Sequence, residues 1–235
     1  MHRPIRRLDP PHRAALRAML LATLLAAAGG AGAQTAVAAR AGTTGFGGEL
    51  AVSLTDQFGL RASLAGGSVT RNITESGVRY EGRWKFGTTM ALADFHPGGG
   101  RFRLSAGFAY NDNRFEGNAR GSSGTVDING RTYNIADIGS LDGTLSYKKA
   151  VPYFGVGWGT AAKSAGSGLF FSADLGVLIG ADPRISLRAN CSAAFTPQQC
   201  NQLQADLRAE ENDFRDNVGF ESVYPVLSFG LGYRF

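Results

Sequence analysis

Nine charged side chains carry most of the chemistry this sequence could do. Arg40, Glu49, Arg61, Arg83, Lys85, Arg103, Lys149, Asp174 and Arg234, with Tyr153 beside them, lie in segments that alternate in character, on the side rich in Gly, Ala and Ser. Gathered inside one fold they would be seven cations against two acids. Two uses follow. Unmatched cations around a narrow passage select small anionic or zwitterionic solutes. Cations paired with Glu49 and Asp174 instead make a salt-bridged plug, because a buried charge needs a partner. Arg83 and Lys85, near a strand end, could also face lipid-A phosphates or solvent.

The remaining chemistry is sparse. Cys191 and Cys200 stand nine apart, and two cysteines in an exported chain predict a disulfide rather than a metal or redox site. Beyond residue 33 the sole histidine is His96, followed by Pro97 and three glycines, with no Ser or acid at a catalytic spacing. It reads as turn chemistry, and no enzyme activity is expected. The glycine-rich phrases GTTGFGG (42–48) and HPGGG (96–100) sit between strands with no helix following, so they are not phosphate loops. No cofactor and no metal are expected.

The elements that must position these residues are strands. The last segment is the sharpest: Pro225, Leu227, Phe229, Leu231, Tyr233 and Phe235 share one face, Val226, Ser228, Gly230, Gly232 and Arg234 the other. The same alternation sets Leu169, Phe171, Ala173, Leu175, Val177 and Ile179 against Ser172, Asp174, Gly176 and Gly180. It sets Phe102, Leu104, Ala106, Phe108 and Tyr110 against Arg103, Ser105, Gly107, Ala109 and Asn111. Phe154, Val156 and Trp158 oppose Tyr153, Gly155 and Gly157, and Phe58, Leu60, Ala62 and Leu64 oppose Arg61. Phe46, Leu50, Val52 and Leu54 oppose Glu49; Trp84, Phe86, Met90 and Leu92 oppose Arg83, Lys85, Gly87, Thr89 and Ala91. Seven strands follow, at about 45–54, 58–69, 79–95, 101–117, 143–159, 168–181 and 220–235. Gln34–Gly42 supplies an eighth, as the even count of a bacterial membrane barrel requires.

Period 2 alone does not separate a soluble sandwich from a membrane barrel. Small residues on the polar side suit a narrow barrel interior, and aromatics near segment ends suit interfacial girdles. The expected fold is therefore all-β: an eight-stranded antiparallel transmembrane β-barrel, up-and-down. Short connections at Thr55–Gln57, His96–Gly100 and Thr160–Ser167 would be periplasmic turns. Longer ones at about 70–78, 118–142 and 182–219 would be extracellular loops. The last loop holds a helix signal, Thr196-Pro197-Gln198-Gln199, a capping box with Pro at the first position. That helix should run to about Asp216, its Leu203, Leu207 and Phe214 packing on the barrel rim and its acidic face solvated. The middle loop reads as a small hairpin turned at Asn129-Gly130, then a helical turn over Asn134–Ile138.

Export fits the N-terminus. Arginines precede the apolar run Ala18–Ala28, and Ala31-Gly32-Ala33 is a small-residue cleavage site, so residues 1–33 are expected to be a signal peptide and 34–235 the barrel domain. Ala36-Val37-Ala38 is a second small-residue site, and the strand count favours the first. Glycine, 33 of 235 residues, is about twice its usual share. Residues 1–33 hold five Arg against Asp9, leaving 19 of the 24 basic and 18 of the 19 acidic side chains in the rest. That near-neutral balance gives nucleic-acid binding no support.

The runs ALADFHPGGGRFRLSAGFAYNDNRF (91–115), VPYFGVGWG (151–159), FSADLGVLIGADPRISL (171–187) and YPVLSFGLGYRF (224–235) resemble small proteobacterial outer-membrane barrels of the OmpA/OmpW-like superfamily. The likeness spans nearly all of residues 42–235 and brings no catalytic or ligand residue with it. It implies an integral protein of the Gram-negative outer membrane, amid lipid and lipopolysaccharide, with a structural or small-solute role. The ending on Tyr233 and Phe235 resembles the signal read by the barrel assembly machinery, and periplasmic chaperones are expected in biogenesis. No counterpart of the peptidoglycan-binding domain of full-length OmpA is expected. A secreted soluble β-barrel holding an apolar ligand inside is the alternative, and a lipid-A-modifying barrel enzyme the most distant one.

Overall fold

The alternating segments pair as antiparallel strands, and their pairings run in a ring. A computed structural model describes residues 34–75, 78–121, 123–147, 149–159, 166–217 and 223–235. The expected signal peptide lies outside the described residues. Among the described residues are thirteen strands: β1 (Gln34–Gly42), β2 (Gly45–Ser53), β3 (Phe58–Glu75), β4 (Val78–Phe95), β5 (Phe102–Asn111), β6 (Arg114–Gly121), β7 (Thr125–Ile128), β8 (Arg131–Asn134), β9 (Ser140–Tyr147), β10 (Ala150–Trp158), β11 (Gly168–Ile179), β12 (Pro183–Asn190) and β13 (Val223–Arg234). Two α-helices join them, α1 (Ile135–Ile138) and α2 (Pro197–Asn217).

The alternation predicts eight strands; the ring passes through eight, and five more lie outside it. Its order is β4-β3-β2-β1-β13-β11-β10-β5 and back to β4. The stagger can be read from the register. Ala36 pairs directly with Arg234 of β13. Going round the other way, Ala36 meets Ala51, then Arg61, Leu92, Gly107, Tyr153 and Leu178, and the path reaches β13 at Tyr224, ten residues away from Arg234. Such a shift means strands tilted to the ring axis, as barrel geometry demands.

The extra strands prolong the ring's own. β5 and β6 both pair with β4, through Thr88↔Asn111 and Lys85↔Arg114, three residues along on each side, so they are one strand interrupted at 112–113. β10 and β9 continue each other likewise, through Ala150↔Tyr110 and Ser146↔Arg114. Between Leu178↔Tyr153 and Pro183↔Tyr147 the β11 side advances five residues and its partner six, a one-residue slip near Gly180, which takes a φ of 72° open to glycine. The outer parts of β3, β4, β6, β9 and β12 therefore form a tall wall beyond the ring. The segments 70–78, 118–142 and 182–219, expected as loops, are instead largely folded into this wall and its covering.

That wall has a core of its own. Val78, Ile128, Ile135, Ile138, Leu203 and Leu207 are buried together, packed by Leu141, Leu187 and Phe195. The hairpin β7–β8 turns at Asn129 and Gly130, both with positive φ, the signature of a tight two-residue hairpin. Asn134 caps α1 by accepting from the Ala136 amide at 3.1 Å. The capping box of α2 forms: the Thr196 amide donates to Gln199 Oε1 at 2.9 Å, and the Gln199 amide to Thr196 Oγ1 at 3.3 Å. The Cys191–Cys200 disulfide ties the first turn of α2, which holds Cys200, to the segment before it. Leu203 and Leu207 pack into the wall's core rather than on the ring's rim.

Candidate functional site

The ring is inverted relative to a soluble protein. Its outer surface carries Phe46, Phe108, Phe154, Leu169, Phe171, Leu175, Phe229 and Leu231, with Phe108 72% and Leu169 77% exposed. Its inside holds Arg40, Glu49, Arg61, Asp94, Arg103 and Asp174, all buried. The alternation of β3, β5, β10, β11 and β13 falls as the sequence predicts. Val52 is the exception on β2: it shares a face with Leu50 yet is buried.

Strand β4 differs. Met90, Leu92 and Asp94 are buried, and Ala91, Ala93 and Phe95 are exposed, the reverse of the expected phase. The register on β3 sets this. Arg61 stands opposite Leu92, and directly opposed residues point to one side of a sheet, so an inward Arg61 carries Leu92 inward. Phe58 and Phe95 then meet on the outer surface, ring centroids 5.1 Å apart.

The inverted phase delivers Asp94 to the site. Arg61 binds it twice, Nε to Oδ2 at 2.5 Å and Nη2 to Oδ1 at 3.1 Å. Arg61 also reaches Glu49 at 3.0 Å and Asp174 at 3.3 Å. Arg40 pairs with Glu49 and Asp174 and donates to the Ser228 hydroxyl. Arg103, with no exposed surface, donates to Asp174 from Nη2 at 2.6 Å and from Nε at 3.2 Å. Ser105 donates to Asp94 at 2.6 Å and accepts from Arg61 at 3.0 Å. Three guanidiniums thus interlock with three carboxylates. Asp94 was hidden from sequence reasoning because Leu92 and Phe95 around it are both apolar; Phe95 in the outer belt was the available signal.

The inward glycines make room for this cluster. A Cβ on Gly157 would lie 2.5 Å from Asp174 Oδ1 and 2.7 Å from Arg103 Nε. On Gly155 or Gly176 it would lie 2.3 or 2.5 Å from the Tyr153 hydroxyl. Tyr153 thus lies across the interior between glycines, buried with Met90, Leu92, Val151, Leu178 and Val226. An apolar layer therefore sits on the charged one, toward the wall. Ala36, Ala51 and Phe170 cluster separately, near the end with the short turns.

The other sequence candidates lie elsewhere. Lys149 is not in the interior: it is exposed, 3.6 Å from Asp112 and over the ring of exposed Tyr110, because β9 and β10 break beside it. Arg83 and Lys85 face outward on the wall, paired with Glu81 at 3.3 Å and Glu116 at 2.6 Å. Arg234 is half-buried at the short-turn end, donating to the Gly166 carbonyl at 2.5 Å, and is outside the cluster. Tyr233 and Phe235 are exposed on the outer belt, rings 5.2 Å apart. His96 is buried in its turn, Nδ1 3.0 Å from the Gly100 carbonyl, and its amide donates to Gln57. Among the described residues, no three His, Cys, Asp or Glu side chains gather to hold a metal. Among the described residues the buried cluster holds three cations and three acids, where the sequence suggested seven cations against two acids.

Comparison by sequence finds no family model and no curated protein that matches. Comparison by structure does find relatives. CarO2 of Acinetobacter baumannii matches with a TM-score of 0.61 and 22% identity over 86% of this chain and 98% of its own. The likeness is one of fold. CarO of the same organism matches at 0.61 and 22%, over 85% of this chain and 97% of its own. The chain thus shares the β-barrel fold of these proteins over nearly their whole length.

Proposed function

We propose that this chain is an integral outer-membrane β-barrel whose interior is plugged, with a structural role in the envelope. The observation that carries the reading is the inversion itself: a continuous belt of large apolar side chains outside and a charge-balanced cluster within. No described helix is long and apolar enough to cross a membrane, which says nothing about strands. Strands closed in a ring satisfy their own backbone hydrogen bonds, the condition for crossing lipid. The fold shared with CarO supports the reading. So do the OmpA/OmpW-like phrases of the sequence, as a resemblance. The short turns would face the periplasm and the wall the outside. A soluble barrel with an apolar ligand inside needs its large apolar residues in the interior, and here Phe108, Phe154 and Leu231 are outside.

The plug favours structure over passage. Selection of anions needs unmatched cations, and Arg40, Arg61 and Arg103 are all matched. An eight-stranded ring also leaves an interior about filled by side chains. Residues 34–235 refolded in detergent should shift in SDS gel mobility only after boiling, and should give no steady conductance steps in a planar bilayer. Lys149→Ala should leave that silence unchanged. Solubility without detergent would overturn the membrane reading; anion-selective steps altered by Arg103→Ala would overturn the plug.

A further inference from the structure

A second cluster of cations lies on the outside of the wall, where the apolar belt ends. Along β5 the outward positions run Phe102, Leu104, Phe108, Tyr110; the next two, past the strand break, are Asp112 and Arg114. Along β11 they run Leu175, Val177, Ile179, and Arg184 follows on β12 just beyond the slip. Lys149 stands at the same level, over Tyr110. Here Asp112, Arg114, Lys149 and Arg184, with the hydroxyl-bearing Thr144 and Ser146, line a cavity of about 430 Å³. Asp112 engages two of the cations, Arg114 at 3.3 Å and Lys149 at 3.6 Å. Arg184 has no carboxylate partner among the described residues. Three cations and one acid leave two positive charges in a concave pocket.

Building on the membrane reading above, we propose that this pocket binds a phosphate group of the outer-leaflet glycolipid. Depth selects the ligand. Phosphates of such a lipid lie at the edge of the hydrocarbon layer, the level at which this outer face changes from Tyr110 and Ile179 to Arg114 and Arg184. Guanidiniums hold phosphate oxygens by paired N–H donors, Lys149 adds a point charge, and the two hydroxyls can donate to the remaining oxygens. The three strand interruptions, at 112–113, near 149 and near 180, bring these residues to one place.

The test uses the full barrel in detergent, with native mass spectrometry against lipid A, lipid A stripped of its phosphates, and inorganic phosphate. Wild type should retain one lipid A. Arg184→Gln and the Lys149→Ala, Arg184→Gln pair should each weaken it about tenfold or more, the worth of one charged hydrogen bond. Arg188→Ala, on the outer face but away from the cavity lining, should not. Dephosphorylated lipid should bind as weakly as the variants. Equal retention by wild type and variants that still show the boiled-sample mobility shift overturns this site alone. Inorganic phosphate binding as tightly as lipid A reassigns the pocket to a free anion and overturns the lipid. A chain that never acquires the heat-modifiable form overturns the membrane reading, and this inference with it.

Discussion

Asp174 accepts from Arg40, Arg61 and Arg103, so three buried cations depend on one carboxylate. Removing its charge leaves three buried guanidiniums with only Glu49 and Asp94 to balance them. Breaking a buried ion pair by deleting one partner costs about 3–5 kcal/mol. Asp174→Asn should lower the unfolding free energy read from urea titration in detergent by that order, with a lower midpoint, and Lys149→Ala, an exposed change, should leave both nearly unmoved. A midpoint for Asp174→Asn equal to wild type would mean the cluster does not hold the interior. The packing around it is as tight as its charge. A Cβ at Gly157 would collide with both Asp174 and Arg103, so this inward position has room only for glycine.

At the scale of elements, α2 is tied to the wall by more than its apolar face. Tyr133 donates to Asp206 Oδ2 at 2.5 Å, the Asn129 amide donates to Glu210 at 3.0 Å, and the Leu187 amide donates to Glu211 at 2.5 Å. The acidic face expected to be solvated is thus largely a docking face. The hydrogen bond from Tyr133 holds the Asp206 carboxyl below the usual carboxylate range, while loss of water around Tyr133 and the nearby carboxylate push the phenol up. A depressed carboxyl stabilises the fold above its unfolded value, about 4, and that contribution is lost as pH falls through the lower folded value. Protection factors of the α2 amides, corrected for the intrinsic pH dependence of exchange, should therefore hold steady from pH 7 to about 4 and fall below it, with Tyr133→Phe blunting the acid response. The Cys191–Cys200 bridge, nine residues apart, should contribute about 2–3 kcal/mol by loop closure. Replacing both by Ser should speed exchange at the start of α2 and leave the SDS mobility shift intact.

The whole molecule is a ring carrying a second small fold. Gly66 pairs with Gly87, Tyr110 with Ala150 and Ile179 with Val223, so the ring already closes its hairpins below the wall. The two cores are separate: Tyr153 and Leu178 belong to the ring's, Ile138 and Leu203 to the wall's. Joining those three pairs by short turns and discarding everything between should leave a chain that still resists SDS until boiled. Failure of that chain to fold would show that the wall supports the ring. In the intact chain, the wall's inner face also lines a cavity of about 380 Å³ with Trp84, Phe86, Phe115 and Tyr224, above the plugged interior.

The sequence by itself determined the local and the repetitive. Alternation placed the facing residues of β5, β10, β11 and β13, turn residues placed the β7–β8 hairpin, and Thr196 with Gln199 placed the start of α2, because each of these depends on neighbours within a few residues. Tertiary structure decided the rest. Period 2 says which residues share a face, not which face points inward, and a shift of one reverses the whole strand. On β4 both faces are apolar near Met90 and Leu92, so only pairing with Arg61 across the sheet fixed the phase and brought Asp94 inside. The breaks at 112–113 and beside Lys149 arise where ring strands pass into the wall, a boundary that no local pattern marks. Those two facts turned an expected surplus of interior cations into a balanced plug, and moved Lys149 from the interior to the outer edge of the belt.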